Sequence, residues 1–229
     1  EMLLESVLAV AKGGAGGTFT VPGFPFRWTN GNVWIKGGFE GTNAASAGNC
    51  DPLQWPTVIN RVGNETRLFY VNGVTNGRLE NLTLTGGYVY YQGGALVMSN
   101  SVVTFDNCII TNNQVYNGGN WSYAYAGGLY LANSTVSITN CFLRNNRHAN
   151  SSFWARGGGL YAAGGACTIS RSVVAENTAV SWYSAPCGAG IYLAGGTHRL
   201  QNAVVVRNYS TYGSGVYLES GALALLQCT

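Results

Sequence analysis

Residues 155–166 read ARGGGLYAAGGA. A glycine run entering an alternating apolar stretch admits three readings: a phosphate-cradling loop, a flexible hinge, or one unit of a periodic architecture. A cofactor loop occurs once in a chain, whereas this stretch recurs. Aligned with it are GALVMSNSVVTFDNCIITNN from 94, GGLYLANSTVSITNCFLRNN from 127, GGLYAAGGACTISRSVVAEN from 158, AGIYLAGGTHRLQNAVVVRN from 189 and SGVYLESGALALLQCT from 214. A weaker copy, LFYVNGVTNGRLENLTLTGG, starts at 68. Length varies only between the Asn-rich end of one copy and the glycines of the next.

Each copy holds three short runs of alternating apolar residues, separated by Gly, Asn or Ser. Alternation at period two means strands, and the separators are residues that accept left-handed backbone conformations. Three short strands per repeat fit an all-β solenoid, a single-stranded parallel β-helix in which each copy is one coil. Stacked coils align four inward columns: Leu96, Leu129, Leu160, Ile191 and Val216; Met98, Leu131, Ala162, Leu193 and Leu218; Phe105, Ile138, Ile169, Leu200 and Leu225; Leu84, Ile110, Leu143, Val174 and Val205. Two polar columns mark turns. Asn81, Asn107, Asn140 and Asn202 form one, interrupted by Arg171 and Gln227; Asn113, Asn146, Asn177 and Asn208 form the other. Stacked amides bond along the axis of such a stack, so these asparagines are read as structural.

Ahead of the coils, MLLESVLAVAK (2–12) has helical spacing at Leu3, Val7, Val10 and Ala11. The predicted organisation is an N-terminal capping helix and turn over 1–17, irregular first coils over 18–67, and regular coils over 68–229. The last coil has no cap over its strand edge, so the expectation is that the pattern runs on past Thr229 or that another chain covers the end.

Composition bounds the function. Hydrophobic residues make up 46% of the chain and charged ones 9%, so the surface must be built from Asn, Ser, Thr, Gly and Tyr. The net charge of +3 is spread thinly, without the clustered basic footprint of nucleic-acid binding, and no apolar run approaches a membrane span. Six cysteines show no zinc-site spacing and fit an oxidising compartment. Sequons at Asn64, Asn81, Asn120, Asn133, Asn150 and Asn208 point the same way. An exported protein, extracellular or on the cell surface, is the expectation, with no cofactor and no metal.

GGAL (93–96) and GGLY, followed by the [ILV]xxN of Ile110–Asn113 and Leu143–Asn146, resemble the GGA[ILV] and FxxN repeats of polymorphic outer membrane proteins. More broadly they resemble right-handed β-helix proteins of bacterial and algal cell surfaces. WIKGGFEGT and PTVIN resemble the N-terminal part of such proteins. The resemblance implies a right-handed coil and an exported surface or matrix protein, often adhesive.

Candidate chemistry is sparse. Glu80 and Asp106 share a column in neighbouring coils, the only arrangement that fits a polysaccharide lyase or hydrolase, but no basic partner is evident in register. His198 falls inward between Cys167 and Leu223 and is read as structural; His148 falls in a variable loop with no visible partner. Cys108 and Cys141 share a column, either as stacked thiols or as a disulfide. Four aromatic-rich loops leave at one corner, carrying Trp121, Trp154, Trp182 and Tyr183 beside an outward row of Tyr130, Tyr161, Tyr192 and Tyr217. These rings either contact a glycan or protein, or fold back into a second small core; the fold-back reading is preferred, with a functional face above it. A second outward row, Ile109, Phe142, Val173 and Val204, suits a protein partner or self-assembly into a filament or surface array. The expected function is non-catalytic structural or adhesive contact.

Overall fold

The computed structural model describes residues 18–22, 25–41, 48–62, 65–116, 124–149, 155–181, 188–210 and 212–229. Every regular element among them is a strand, and every pairing between named strands is parallel to the equivalent strand one coil away. The proposed helix over 1–17 lies outside the described residues.

Two faces of the stack form one wide sheet. Near either end its strands run unbroken, as Phe26–Lys36, Phe69–Glu80, Ile191–Gln201 and Val216–Leu226. In the middle coils a bend splits them into pairs such as Leu129–Ala132 and Thr135–Thr139. At the bend Asn100, Asn133 and Gly164 take positive φ, a conformation open to Asn and Gly at low cost, and Gly73, Gly195 and Gly221 take it within the unbroken strands. The third face is a seven-stranded sheet running from Thr18–Pro22 through Thr57–Val62 and Leu82–Thr85 to Val204–Val206.

The four inward columns pair residue for residue as their alternation requires. They continue towards the N-terminus through Phe69, Leu79 and Ile59 into one core, but at the other end Leu218 and Leu225, read as inward, are exposed and lie outside it. Each fully buried Leu, Ile or Phe in it contributes about 1.5–3 kcal/mol.

Two turn columns close each coil differently. At the outer one, Asn81, Asn107, Asn140, Arg171, Asn202 and Gln227 all have φ between 47° and 55°. Arg and Gln therefore tolerate a left-handed position that Asn fills elsewhere. The inner column is a buried amide ladder. Asn113 Nδ2 donates to Asn146 Oδ1, Asn146 Nδ2 to Asn177 Oδ1, and Asn177 Nδ2 to Asn208 Oδ1, each at 3.0 Å. Each oxygen also accepts the backbone N–H of the previous coil's asparagine.

The structure corrects the loop reading. After the inner asparagines the chain forms a fourth parallel ladder of Tyr88–Tyr90, Gln114–Tyr116, Arg147–Ala149 and Thr178–Ala179. Ala124–Tyr125 pairs with Ala155–Arg156 just before the glycines. These strands are too short to show a sequence period. His148 accordingly sits in a strand, between Val115 and Ala179 of the neighbouring coils, fully buried with neither ring nitrogen bonded. Burial drives its pKa down from the ordinary 6.5 to about 4.

That burial predicts a pH effect. The unfolded imidazole protonates below about 6.5, whereas the folded one stays neutral down to about 4. Between those values protons bind the unfolded chain preferentially. Stability is therefore intact above pH 6.5, declines as pH drops towards 4, and levels off below. Urea midpoints measured at pH 7 and pH 4.5 should differ less for His148→Val than for the unsubstituted protein.

Candidate functional site

Glu80 and Asp106 are register neighbours, and the cations missing from the sequence reading are present beside them. Arg78 lies two residues before Glu80 on the same outward face, a signal that period two would have supplied. Its guanidinium pairs with Glu80 Oε1 and lies 3.8 Å from Asp106 Oδ2. Lys36, opposite Glu80 in the preceding coil, approaches Oε2 at 3.9 Å. Trp34 Nε1 donates to the same oxygen at 3.2 Å, and its ring lies under both Lys36 and Arg78. Asn140 Nδ2 donates to Asp106 Oδ1 at 2.9 Å. Glu80 is buried, with both oxygens engaged. A general acid or base needs a carboxyl within reach of substrate and able to exchange a proton, so this geometry favours an electrostatic clasp across three coils.

The tyrosine row stacks as aligned, with successive ring centroids 5.3, 5.2 and 5.1 Å apart from Tyr130 to Tyr217. It is not an open row, however. Tyr161 and Tyr192 are buried, while Tyr130 and Tyr217 are half-buried. Tyr125 packs against Tyr130 and Tyr161. Arg156 lies over the Tyr192 ring at 5.1 Å and holds Glu219 at 3.1 Å. Burial, assisted by Tyr125, pushes the Tyr161 hydroxyl up to about 12. Tyr161 and Tyr192 are thus withdrawn from direct ligand contact, and the row is a second small core. Nothing in the spacing of Arg156 announced its role as cover. Trp121, Trp154, Trp182 and Tyr183 lie outside the described residues.

The apolar row Ile109, Phe142, Val173 and Val204 is in register on the outer face of the seven-stranded sheet. Phe142 is 45% exposed and Val204 38%, with Ile109 and Val173 intermediate. At about 4.8 Å per coil the row spans about 14 Å.

Cys108 and Cys141 are free thiols, so the disulfide alternative is not realised. The column has another use: Cys141 Sγ accepts the Cys108 backbone N–H at 3.3 Å, as Ser172 Oγ accepts that of Cys141 at 3.0 Å. Each thiol donates in turn to turn carbonyls, Cys108 to Leu79 and Cys141 to Thr139. Cys167 is buried, and burial raises its pKa to about 12, which leaves the thiol inert beside His198. His198 Nε2 donates to the Gly195 carbonyl at 2.7 Å. Among the described residues, no three His, Cys, Asp or Glu side chains converge as a metal site.

The sequons separate by environment. Asn208 Nδ2 donates to the Val174 carbonyl at 2.9 Å and its Oδ1 ends the buried ladder, so a glycan there would break the turn. Asn81 bonds the Gly37 carbonyl and accepts from Asn107. Asn133 stands exposed at a bend. Asn64, Asn120 and Asn150 lie outside the described residues.

No curated protein and no solved structure gives a significant match to the chain. Coils stacked in parallel register, closed by asparagine turns around one apolar core, agree with the comparison against family models: residues 42–229 match the right handed beta helix region, and the chain belongs to that family.

Proposed function

We propose that this protein is a non-catalytic contact module of the extracellular space or cell surface, and that it associates laterally with a second copy of itself through the apolar flank. The observation that carries the reading is Phe142, 45% exposed within an in-register apolar row on the outer face of the seven-stranded sheet. Isolated surface hydrophobes are ordinary, but aligned ones on consecutive strands form a patch that water disfavours. A row of apolar residues can pair with the same row of a second copy, which suits a two-fold contact. The likeness of GGAL and IxxN to surface-protein repeats supports an exported setting, as do the exposed Asn133 sequon and the scarcity of charge. The engagement of Glu80 by Arg78, Lys36 and Trp34 weighs against a polysaccharide lyase or hydrolase built on Glu80 and Asp106.

Sedimentation of the unsubstituted protein over a wide concentration range should reveal a dimer or higher species. Phe142→Glu should weaken it by about 30-fold, the effect of losing one central anchor of about 2 kcal/mol. A monomer at every concentration, or association indifferent to Phe142→Glu, contradicts the reading.

A further inference from the structure

The wide sheet reaches one coil further towards the N-terminus than the fourth ladder does. Phe26–Lys36 lies beyond Phe69–Glu80, whereas among the described residues the first strand of the ladder is Tyr88–Tyr90, bridged on its near side only by Thr66, antiparallel to Tyr88. At this step is an open cleft of about 390 Å³, lined by Pro25, Arg27, Glu65, Thr66, Arg67, Tyr70, Val89 and Tyr90. The volume is in the range of small-molecule sites.

Its charges are unbalanced. Arg67 is half-buried, and among the described residues its guanidinium has neither an ion pair nor a side-chain hydrogen bond. Arg27, its like-charged neighbour, lies over the Tyr70 ring at 5.1 Å and makes no ion pair there either. Burial pushes the Arg67 pKa down; Tyr70 opposes it, and Arg27 adds a smaller lowering effect. The one carboxylate lining the cleft does not relieve this. Glu65 faces the tyrosines instead, raising the Tyr90 hydroxyl by a hydrogen bond and adding its charge to the burial that raises Tyr88. A partly desolvated guanidinium beside a second one, with the one lining carboxylate engaged by the tyrosines, is a site that an anion would complete.

We propose that this cleft binds an oxyanion carried on a body the size of one sugar ring, with Arg67 and Arg27 holding the anion and Tyr70 and Tyr90 flanking the ring. Guanidinium forks match carboxylate and phosphate geometry, and tyrosines present flat apolar faces with a polar edge. The site is separate from the apolar flank and stands or falls independently of self-association.

Calorimetric titration with glucuronate, glucose 6-phosphate, inorganic phosphate and glucose tests it. At least one of the two charged sugars should bind ten-fold or more tighter than glucose and than inorganic phosphate. Which of the two binds identifies the anion as carboxylate or phosphate. Arg67→Gln should weaken that binding at least ten-fold. Arg27→Gln, at an exposed position, should weaken it severalfold and serves if Arg67→Gln fails to fold. Absence of binding by both charged sugars overturns the proposal. So does equal binding of glucose or inorganic phosphate, or full affinity in folded Arg67→Gln or Arg27→Gln protein.

Discussion

Replacing Asn146 by alanine should lower the unfolding free energy by about 4 kcal/mol, read as a shift of the urea midpoint at neutral pH. The side chain is fully buried and makes four hydrogen bonds. Its Oδ1 accepts from the backbone and the side chain of Asn113, while its Nδ2 donates to the Ile110 carbonyl and to Asn177 Oδ1. Alanine takes this partner from the Asn113 backbone N–H and the Ile110 carbonyl, whereas Asn113 Nδ2 keeps the Leu84 and Thr111 carbonyls. Each buried orphan costs about 1–3 kcal/mol, with some relief where Asn177 Oδ1 keeps its backbone donor. Asn146→Asp retains the acceptor but loses both donated bonds and buries a charge, so it should be no milder. A drop below 1 kcal/mol for Asn146→Ala would show that water enters the turn and replaces the amide.

Gly158→Ala should cost about 3 kcal/mol, an overpacking effect measured in the same way. A Cβ at this position would meet the Ala189 carbonyl oxygen and the Thr178 carbonyl oxygen at 2.6 Å and the Thr178 nitrogen at 2.7 Å. All three are backbone atoms held in parallel ladders and unable to swing aside. Gly127 is in the same position against Arg147, and Gly94 against Gln114. The next residue in the column is Ala189, where the fourth ladder has dwindled to the Thr178–Tyr209 bridge and a methyl group fits. Ala189→Gly, which removes a buried methyl without relieving any clash, should cost far less than Gly158→Ala. Equal costs would place the role of these glycines in chain flexibility instead of close approach.

Much of the core was legible because its rule is local and repeated. Leu96, Leu129, Leu160 and Ile191 occupy one column for the same reason in every coil, and a copy aligned on its glycines aligns its core. The inner asparagines were legible in the same way, although their burial was not. What escaped were features that occur once. Arg156 covers Tyr192 through a contact that crosses coils and meets Glu219 two coils on, so no repeat position encodes it. His148 lies in a three-residue strand, too short for alternation to show. Arg78 was within reach, since it shares the outward face of Glu80, but counting acids without the cations two residues away hid it. The Arg67 cleft arises because one ladder ends a coil before another, a property of the stack that no single repeat contains.

The amide ladder has a sense as well as a strength. Along the stack the side-chain nitrogens of Asn113, Asn146 and Asn177 all point to the following coil and their oxygens all face the preceding one. Backbone groups of a parallel sheet alternate in direction and largely cancel, but these amides do not alternate. Their dipoles add in single file through the interior, each strengthening the next bond by about 10–30%. The molecule therefore contains a polar wire along its axis, with its hydrogen-bearing end towards the C-terminal coils. Any coil that joins the column must present an oxygen to that end or a nitrogen to the other, which fixes the orientation in which a coil can add.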